Sequence, residues 1–381
     1  MEKRNDFLPY GHQFIDDEDI QAVVSTLRSP FLTTGPTIAE FEKAVADYVG
    51  AKYGVAFSNG TAALHGACYA AGIGESDEAI TTPLTFAASA NCIRYMGGTA
   101  VFADIDNKTY NIDPIDIERK ITTKTKAIIP VDFTGQPADM DAIMEIAKKH
   151  NLVVIEDSAH SLGADYKGKK VGTLADMTMF SFHPVKPVTT AEGGVIVTNN
   201  EEYYEKLKLF RSHGITQTAY AEEQGAWYYE MVDLGYNYRM TDLQAALGVS
   251  QMHKLESFIE RRREIAALYD ELLNDVSGVG IPFQLENTKS GWHLYSIQLD
   301  SDELSKSRKE IFEEMRALNI GVHVHYIPVY WHPYYQELGY EKGICPKAEE
   351  WYEQALTLPI FPGMTDNDVA DVVKALKTVV N

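Results

Sequence analysis

Phe180-Ser181-Phe182-His183-Pro184-Val185-Lys186-Pro187-Val188-Thr189-Thr190-Ala191-Glu192-Gly193-Gly194 lies between two short apolar runs, residues 177–180 and 195–197. Runs of that length and composition, bounded by Ser, Pro and Gly, read as buried strands. One Lys is thus carried in the connection between two strands, with hydroxyls before and after it and a Gly pair behind. An α/β sheet collects its functional residues at strand ends. A partly desolvated Lys in such a place is the kind of amine that forms Schiff bases, whereas an ordinary loop Lys is a solvated surface charge. The rest of the chain has to decide between the two.

Upstream, the same grammar recurs. Residues 53–57 form a strand, Ser58-Asn59-Gly60-Thr61 a turn, and residues 62–71 an Ala-rich helix. Free amides and the helix dipole make such a turn an anion site. Further strands are expected at 79–82, 100–103 and 127–131. The run 152–155 enters Glu156-Asp157-Ser158-Ala159-His160, which places a carboxylate at a strand end. A continuous apolar run suits a strand buried on both faces of a parallel sheet. Helical faces are marked by Ile20, Val23, Val24 and Leu27; by Ile38, Phe41, Val45 and Tyr48, with Gly50 as cap; and by Met140, Ile143, Ile146 and Ala147. A helix over 85–95 puts Phe86 in its first turn.

Downstream, residues 203–210 are helical. The stretch 215–235 is aromatic, acidic and without period, which reads as a functional loop. Tyr236-Asn237-Tyr238-Arg239-Met240 leads into one long helix starting at Thr241 or Asp242 and running to about Leu273, with Arg261-Arg262-Arg263 as a solvated face. A smaller α/β unit follows: a strand at 293–299, a helix marked by Ile311, Met315 and Leu318, a strand at 321–326 with His323 and His325 on one face, and a final helix carrying Val369, Val372, Leu376 and Val379. The expected division is an N-terminal arm (1–15), a large α/β domain with a mostly parallel sheet (16–250) and a small C-terminal domain (251–381).

Composition narrows the function. The 381 residues carry 34 basic and 55 acidic side chains, a net charge of -21, which argues against nucleic acid and anionic membranes as partners. Cys68, Cys92 and Cys345 form no CxxC pair, and an odd count suits a reducing cytosol. The start of the chain has no apolar signal core, and no run approaches the roughly 18 apolar residues of a membrane span. A cytoplasmic protein is expected. No HExxH or Cys/His spacing is present, so no metal is expected.

Three features now converge at strand ends: the Gly60-Thr61 turn, Asp157 with His160, and Ser181 with Lys186. Pyridoxal 5'-phosphate needs phosphate donors, a carboxylate for its pyridinium nitrogen and a Lys for its aldehyde. The segments 58–64, 156–160, 181–194 and 236–240 also resemble the DegT/DnrJ/EryC1/StrS family, nucleotide-sugar aminotransferases of fold-type I. The resemblance runs from about Leu8 to the C-terminal helix. It implies that Lys186 holds the cofactor as a Schiff base and acts as the catalytic base and acid. It also implies that Asp157 pairs with the ring nitrogen, that His160 meets the ring hydroxyl and that Phe86 stacks on the ring. Gly60, Thr61 and Ser181 would bind the phosphate, and Asn237 would reach it from a partner subunit, making a homodimer with shared sites. L-Glutamate would be the amino donor.

Within the family, the segments 183–194, 209–214 and 324–330 resemble the branch that aminates C4 of a UDP-linked 4-keto-6-deoxy-N-acetylhexosamine for pseudaminic acid. Thr33, Thr34, His325 and Tyr326 would then lie at the sugar end. Spore-coat polysaccharide and perosamine-type aminotransferases share much of this pattern. Other readings are a lyase, a non-catalytic binding protein of the same fold, and an aromatic-amine synthase. The family's sugar dehydratases carry His where this chain has Lys186, which argues against the lyase.

Overall fold

Seven strands build the central sheet: β1 (Tyr53–Phe57), β2 (Glu78–Thr81), β3 (Thr99–Phe102), β4 (Thr125–Ile129), β5 (Val153–Asp157), β6 (Met177–Ser181) and β7 (Gly194–Thr198). Their order is β1-β7-β6-β5-β4-β2-β3. All neighbours are parallel except β7, which runs antiparallel to both β1 and β6. These are findings from a computed structural model that describes residues 2–217 and 219–380. Met1, Thr218 and Asn381, at the ends of the predicted arm and small domain and within the 215–235 stretch, lie outside the described residues.

The strand alternation explains why the apolar runs are continuous. Ala79, Ala127, Ile129 and Ile155 face one hydrophobic cluster, while Ile80, Ile128 and Val154 face another on the opposite side. All are fully buried, each contributing about 1.5–3 kcal/mol for the larger side chains. Helix α1 (Gly60–Ala70) covers the first of these faces, with Ala63, Leu64, Ala67 and Cys68 completely buried. Its small residues let it sit against the sheet.

A second, antiparallel sheet joins Val279–Gly280, Tyr295–Leu299 and Ala355–Leu358. It packs with helices Arg308–Ala317 and Asp366–Val380 around Tyr295, Ile297, Leu356 and Val372. Leu8 of the N-terminal arm belongs to this core, whereas Val329, Tyr330 and Trp351 join the large sheet's cluster.

Four predictions need correction. The long helix breaks at His253 and Lys254 into α2 (Asp242–Met252) and α3 (Leu255–Leu273). Lys254 is drawn into ion pairs with Asp16 at 2.7 Å and the buried Asp19 at 2.8 Å. The basic run is not a solvated face: Arg262 is completely buried. Three consecutive helical residues span about 200° of the surface, so they cannot all avoid a packed stripe. Residues 321–326 form no strand. Gly321 N–H bonds Leu8, while His323 exchanges bonds with Thr357, so the segment divides its partners between two neighbours. The helix expected from residue 85 begins at Ala88, which leaves Phe86 ahead of it and 66% exposed.

Candidate active site

The carboxyl ends of β5 and β6 open into a cavity of about 730 Å³, closed on the far side by the small sheet's chain and the N-terminal arm. Gly60, Thr61, Phe86, Asp157, His160, Ser181, Lys186, His325 and Tyr326 all line it. The chain therefore brings together nine of the twelve residues singled out in the sequence. Thr33, Thr34 and Asn237 are exposed and stand outside it. Thr33 is bridged to Thr241, and Asn237 to Ser212.

At the sheet end, Asn59 caps α1 by accepting the Ala62 N–H at 2.8 Å, which leaves the amides of Gly60 and Thr61 at the open helix terminus. Ser181, the last residue of β6, lies beside them: a Cβ on Gly60 would meet its Oγ at 3.4 Å. Gly194 makes that closeness possible, because a Cβ there would meet the Asn59 carbonyl at 2.6 Å.

Asp157 is buried at the end of β5. It accepts from Ser89 Oγ at 2.6 Å and from Ala159 N–H at 3.2 Å. Burial raises its pKa, and those bonds together with Lys186 oppose the rise. A cation set against Asp157 would draw it back to the ionised form. Behind it, Asp132 receives Ser158 Oγ at 2.9 Å, Ser161 Oγ at 2.6 Å and Ala138 N–H at 2.9 Å. Burial still pushes it up to about 6.

Lys186 faces the opposite wall, its Nζ 3.4 Å from His293 Nε2. Burial lowers its pKa to about 8, partly offset by Asp157. The wall itself is aromatic. His160 Nε2 meets Tyr326 Oη at 3.2 Å, His325 Nδ1 meets Thr357 Oγ1 at 2.8 Å, and the His160 and His293 rings are 4.4 Å apart. Burial holds His160, His293 and His325 well below the usual imidazole range, so the wall is neutral.

These residues fit pyridoxal phosphate on their own geometry. The α1 terminus and Ser181 make an anion cradle at the cavity's sheet end, and a Cβ at Gly194 would strike the Asn59 and Gly60 backbone that forms it. Asp157 is a buried carboxylate in need of a cation. His160 Nδ1 is buried without a partner among the described residues, and burial lowers the Lys186 amine's pKa to about 8. His293, Tyr10 and Ser89 were not singled out in the sequence, although all three line the cavity. None carries a local signal, because each is brought in by tertiary packing.

The sequence profile of the DegT/DnrJ/EryC1/StrS aminotransferase family matches residues 13–377. The spore coat polysaccharide biosynthesis protein SpsC of Bacillus subtilis is 44% identical over 384 residues, covering 100% of this chain and 99% of that one. The UDP-4-amino-4,6-dideoxy-N-acetyl-beta-L-altrosamine transaminase of Campylobacter jejuni (serotype O:23/36, strain 81-176) is 40% identical, covering 98% and 97%. Among solved structures, Helicobacter pylori PseC, an aminotransferase involved in the biosynthesis of pseudoaminic acid, superposes with a TM-score of 0.92 at 35% identity, covering 98% and 99%.

Proposed function

The chain belongs to the DegT/DnrJ/EryC1/StrS aminotransferase family, and from that premise we propose that it moves the amino group of L-glutamate to C4 of a UDP-linked 4-keto-6-deoxy-N-acetylhexosamine. It is a pyridoxal-phosphate-dependent transaminase. The observation that carries the reading is the pairing of Lys186 and Asp157 across one cavity, beside the α1 terminus. When bound, the cofactor supplies the aldehyde that accepts the amino group and the ring that withdraws electrons.

The chain's own residues do the rest. The amides of Gly60 and Thr61, with Ser181, hold the phosphate. Asp157 keeps the ring nitrogen protonated, since an adjacent negative charge favours the cation. Phe86 and His160 fix the ring's face and edge. Lys186 would hold the cofactor's aldehyde carbon and would move the proton of the donor's α-carbon, as base and then acid. Its burial-lowered pKa suits both tasks near neutral pH. In the second half it works in reverse on the sugar, and the face it reaches sets the new stereocentre. His325 and Tyr326 take the sugar end, whereas Thr33 and Thr34, which stand outside this chain's cavity, would reach a sugar only in a partner's site, as Asn237 would.

Likeness to the altrosamine transaminase and to PseC supports the sugar reading. The comparable likeness to SpsC favours a second one, a nucleotide sugar of a spore-coat type of polysaccharide. A panel of UDP- and dTDP-linked 4-keto and 3-keto sugars with glutamate, read by NMR, separates them. Amination of only a 3-keto sugar or only a dTDP sugar contradicts the first reading.

The proposal includes a homodimer working in a reducing cytoplasm. Trp227, Met231 and Leu234 are 80%, 65% and 70% exposed just before Asn237, an apolar face suited to a second copy that receives Asn237 at its phosphate. Mixing a Lys186→Ala homodimer with an Asn237→Ala homodimer should restore part of the activity. No recovery despite demonstrated subunit exchange counts against shared sites. Among the described residues, no helix is long and apolar enough to cross a membrane.

A further inference from the structure

His293 lies outside every segment that located the site in the sequence, yet its Nε2 is the hydrogen-bond partner of the Lys186 amine, at 3.4 Å. The ring is buried, and its Nδ1 has no partner among the described residues. Among the described residues the amine is therefore the ring's single hydrogen-bond partner.

Three features hold this pair in register. The buried Arg262 guanidinium donates to the carbonyls of Trp292 at 3.1 Å, His293 at 3.3 Å, Ile360 at 3.0 Å and Val185 at 3.4 Å. One cation thus bolts the residue before Lys186 to His293 itself. Gly135 forms the second clamp. At φ +114 it sits where a Cβ would meet Trp292 N at 2.7 Å, His160 O at 2.9 Å and His293 N at 3.0 Å. Its carbonyl receives Gly291 N–H at 2.9 Å, and the Thr134 carbonyl receives Leu294 N–H at 3.0 Å. Third, Trp292 adopts a left-handed φ of 45, a conformation unfavourable for a non-Gly residue that persists only where the surroundings impose it. Chain held this firmly has its side chain aimed.

We infer that His293 is the positioning residue of Lys186: its unprotonated Nε2 accepts one N–H of the amine and leaves the nitrogen lone pair free for the cavity. The inference rests on Lys186 being the amine that carries the cofactor. Donation in the opposite sense would occupy the lone pair and silence the amine as nucleophile and base. An imidazolium could not accept at all. Lys186, His160, Arg262 and His325 all act with burial to keep the ring neutral. The groups facing the amine are Asp157 from β5, His160 beyond it, His183 and Glu192 from its own connection, Arg262 from α3, His323, His325 and Tyr326 from the small-domain side, and Tyr10 from the arm. Asp157 favours the ammonium and Arg262 opposes it. His293 adds no charge, so its effect is on placement.

The test uses full-length protein freed of cofactor and given pyridoxal phosphate, with growth of the visible band followed between about pH 6 and pH 10. The high-pH plateau, where the amine is neutral, reports placement separately from titration. His293→Gln puts an amide group where Nε2 stood and should keep the plateau within about threefold. His293→Asn puts its amide at the Nδ1 position, and His293→Leu has none. Both should fall about tenfold or more, since small misplacements of a reacting group carry costs of that order. If the Leu variant does not fold, the Gln and Asn variants decide. A wild-type plateau in His293→Asn, or a Gln plateau as low as that of Asn, overturns the inference. Lys186→Ala should form no band; if it does, the assignment of Lys186 itself fails, and the two failures are distinguishable.

Discussion

One wall of the cavity is made from strand ends, and the other from chain with almost no regular structure. The sheet wall places Ser181 and Asp157 on the last residues of β6 and β5, and Gly60 on the first residue of α1. The facing wall places His160, His293, His325 and Tyr326 on connecting segments held by Arg262, Gly135 and the Thr357 pairing. The first wall bears the charges and the anion cradle. The second is neutral, buried and aromatic. Sheet ends are a cheap way to fix a few reactive groups, because the ladder already determines their positions. A wall without a ladder needs other bolts, and here these are a buried guanidinium and a glycine.

The contrast predicts that changes on the sheet wall abolish chemistry, while changes on the other wall alter placement and stability. Lys186→Ala should show the largest effect, a loss of turnover of about 10⁴-fold with the circular dichroism spectrum unchanged. Normal transamination by that variant removes the basis of the assignment. Asp157→Asn comes next, at about 10²–10³-fold in kcat, the cost of removing one preorganised electrostatic group. A drop confined to KM would mean that Asp157 only binds.

The pH dependence of cofactor capture sharpens the same point. Burial lowers the Lys186 pKa to about 8, so the reactive neutral amine should gain population through that pH. A solvated Lys would do so about two units higher, near 10.4. A midpoint near that higher value means the amine is exposed to water.

Arg262→Met probes the bolts. It leaves the carbonyls of Val185, Trp292, His293 and Ile360 without their shared donor and should cost about 3 kcal/mol of stability, measured by denaturant unfolding. Burial has already lowered the guanidinium's pKa to about 9, so its charge is an expense borne for those four bonds. An unchanged midpoint denies Arg262 its role in the wall. The smallest expected effect is that of Tyr326→Phe. It removes the partner of His160 Nε2 and should weaken cofactor binding by about 1 kcal/mol, read by equilibrium titration. A loss as large as that of Asp157→Asn would place chemistry on the wrong wall.

The same division governs how much the sequence discloses. The strands were legible because each is a short apolar run closed by a turn, and the cap at Gly50 because a helix ending in a left-handed residue favours Gly. Lys186, Asp157 and the Gly60 turn were legible because they belong to those local units. His293 was not, because nothing near it in sequence distinguishes it from the start of a strand. The break before Leu255 follows from the Lys254 pairs with Asp16 and Asp19, more than 230 residues away, and has no Pro or Gly to announce it. Ile259, Arg262, Ile265 and Tyr269 recur at helical spacing and are all completely buried, so the stripe ran through a charged residue. Its partners are backbone carbonyls, which no side-chain pattern reveals.

The most direct test is borohydride reduction of the purified enzyme as isolated with its cofactor, followed by peptide mass spectrometry. A pyridoxyl adduct on Lys186 and on no other Lys is the predicted result. An adduct on a different Lys, or none in protein that shows the visible band, would contradict the site described for this cavity.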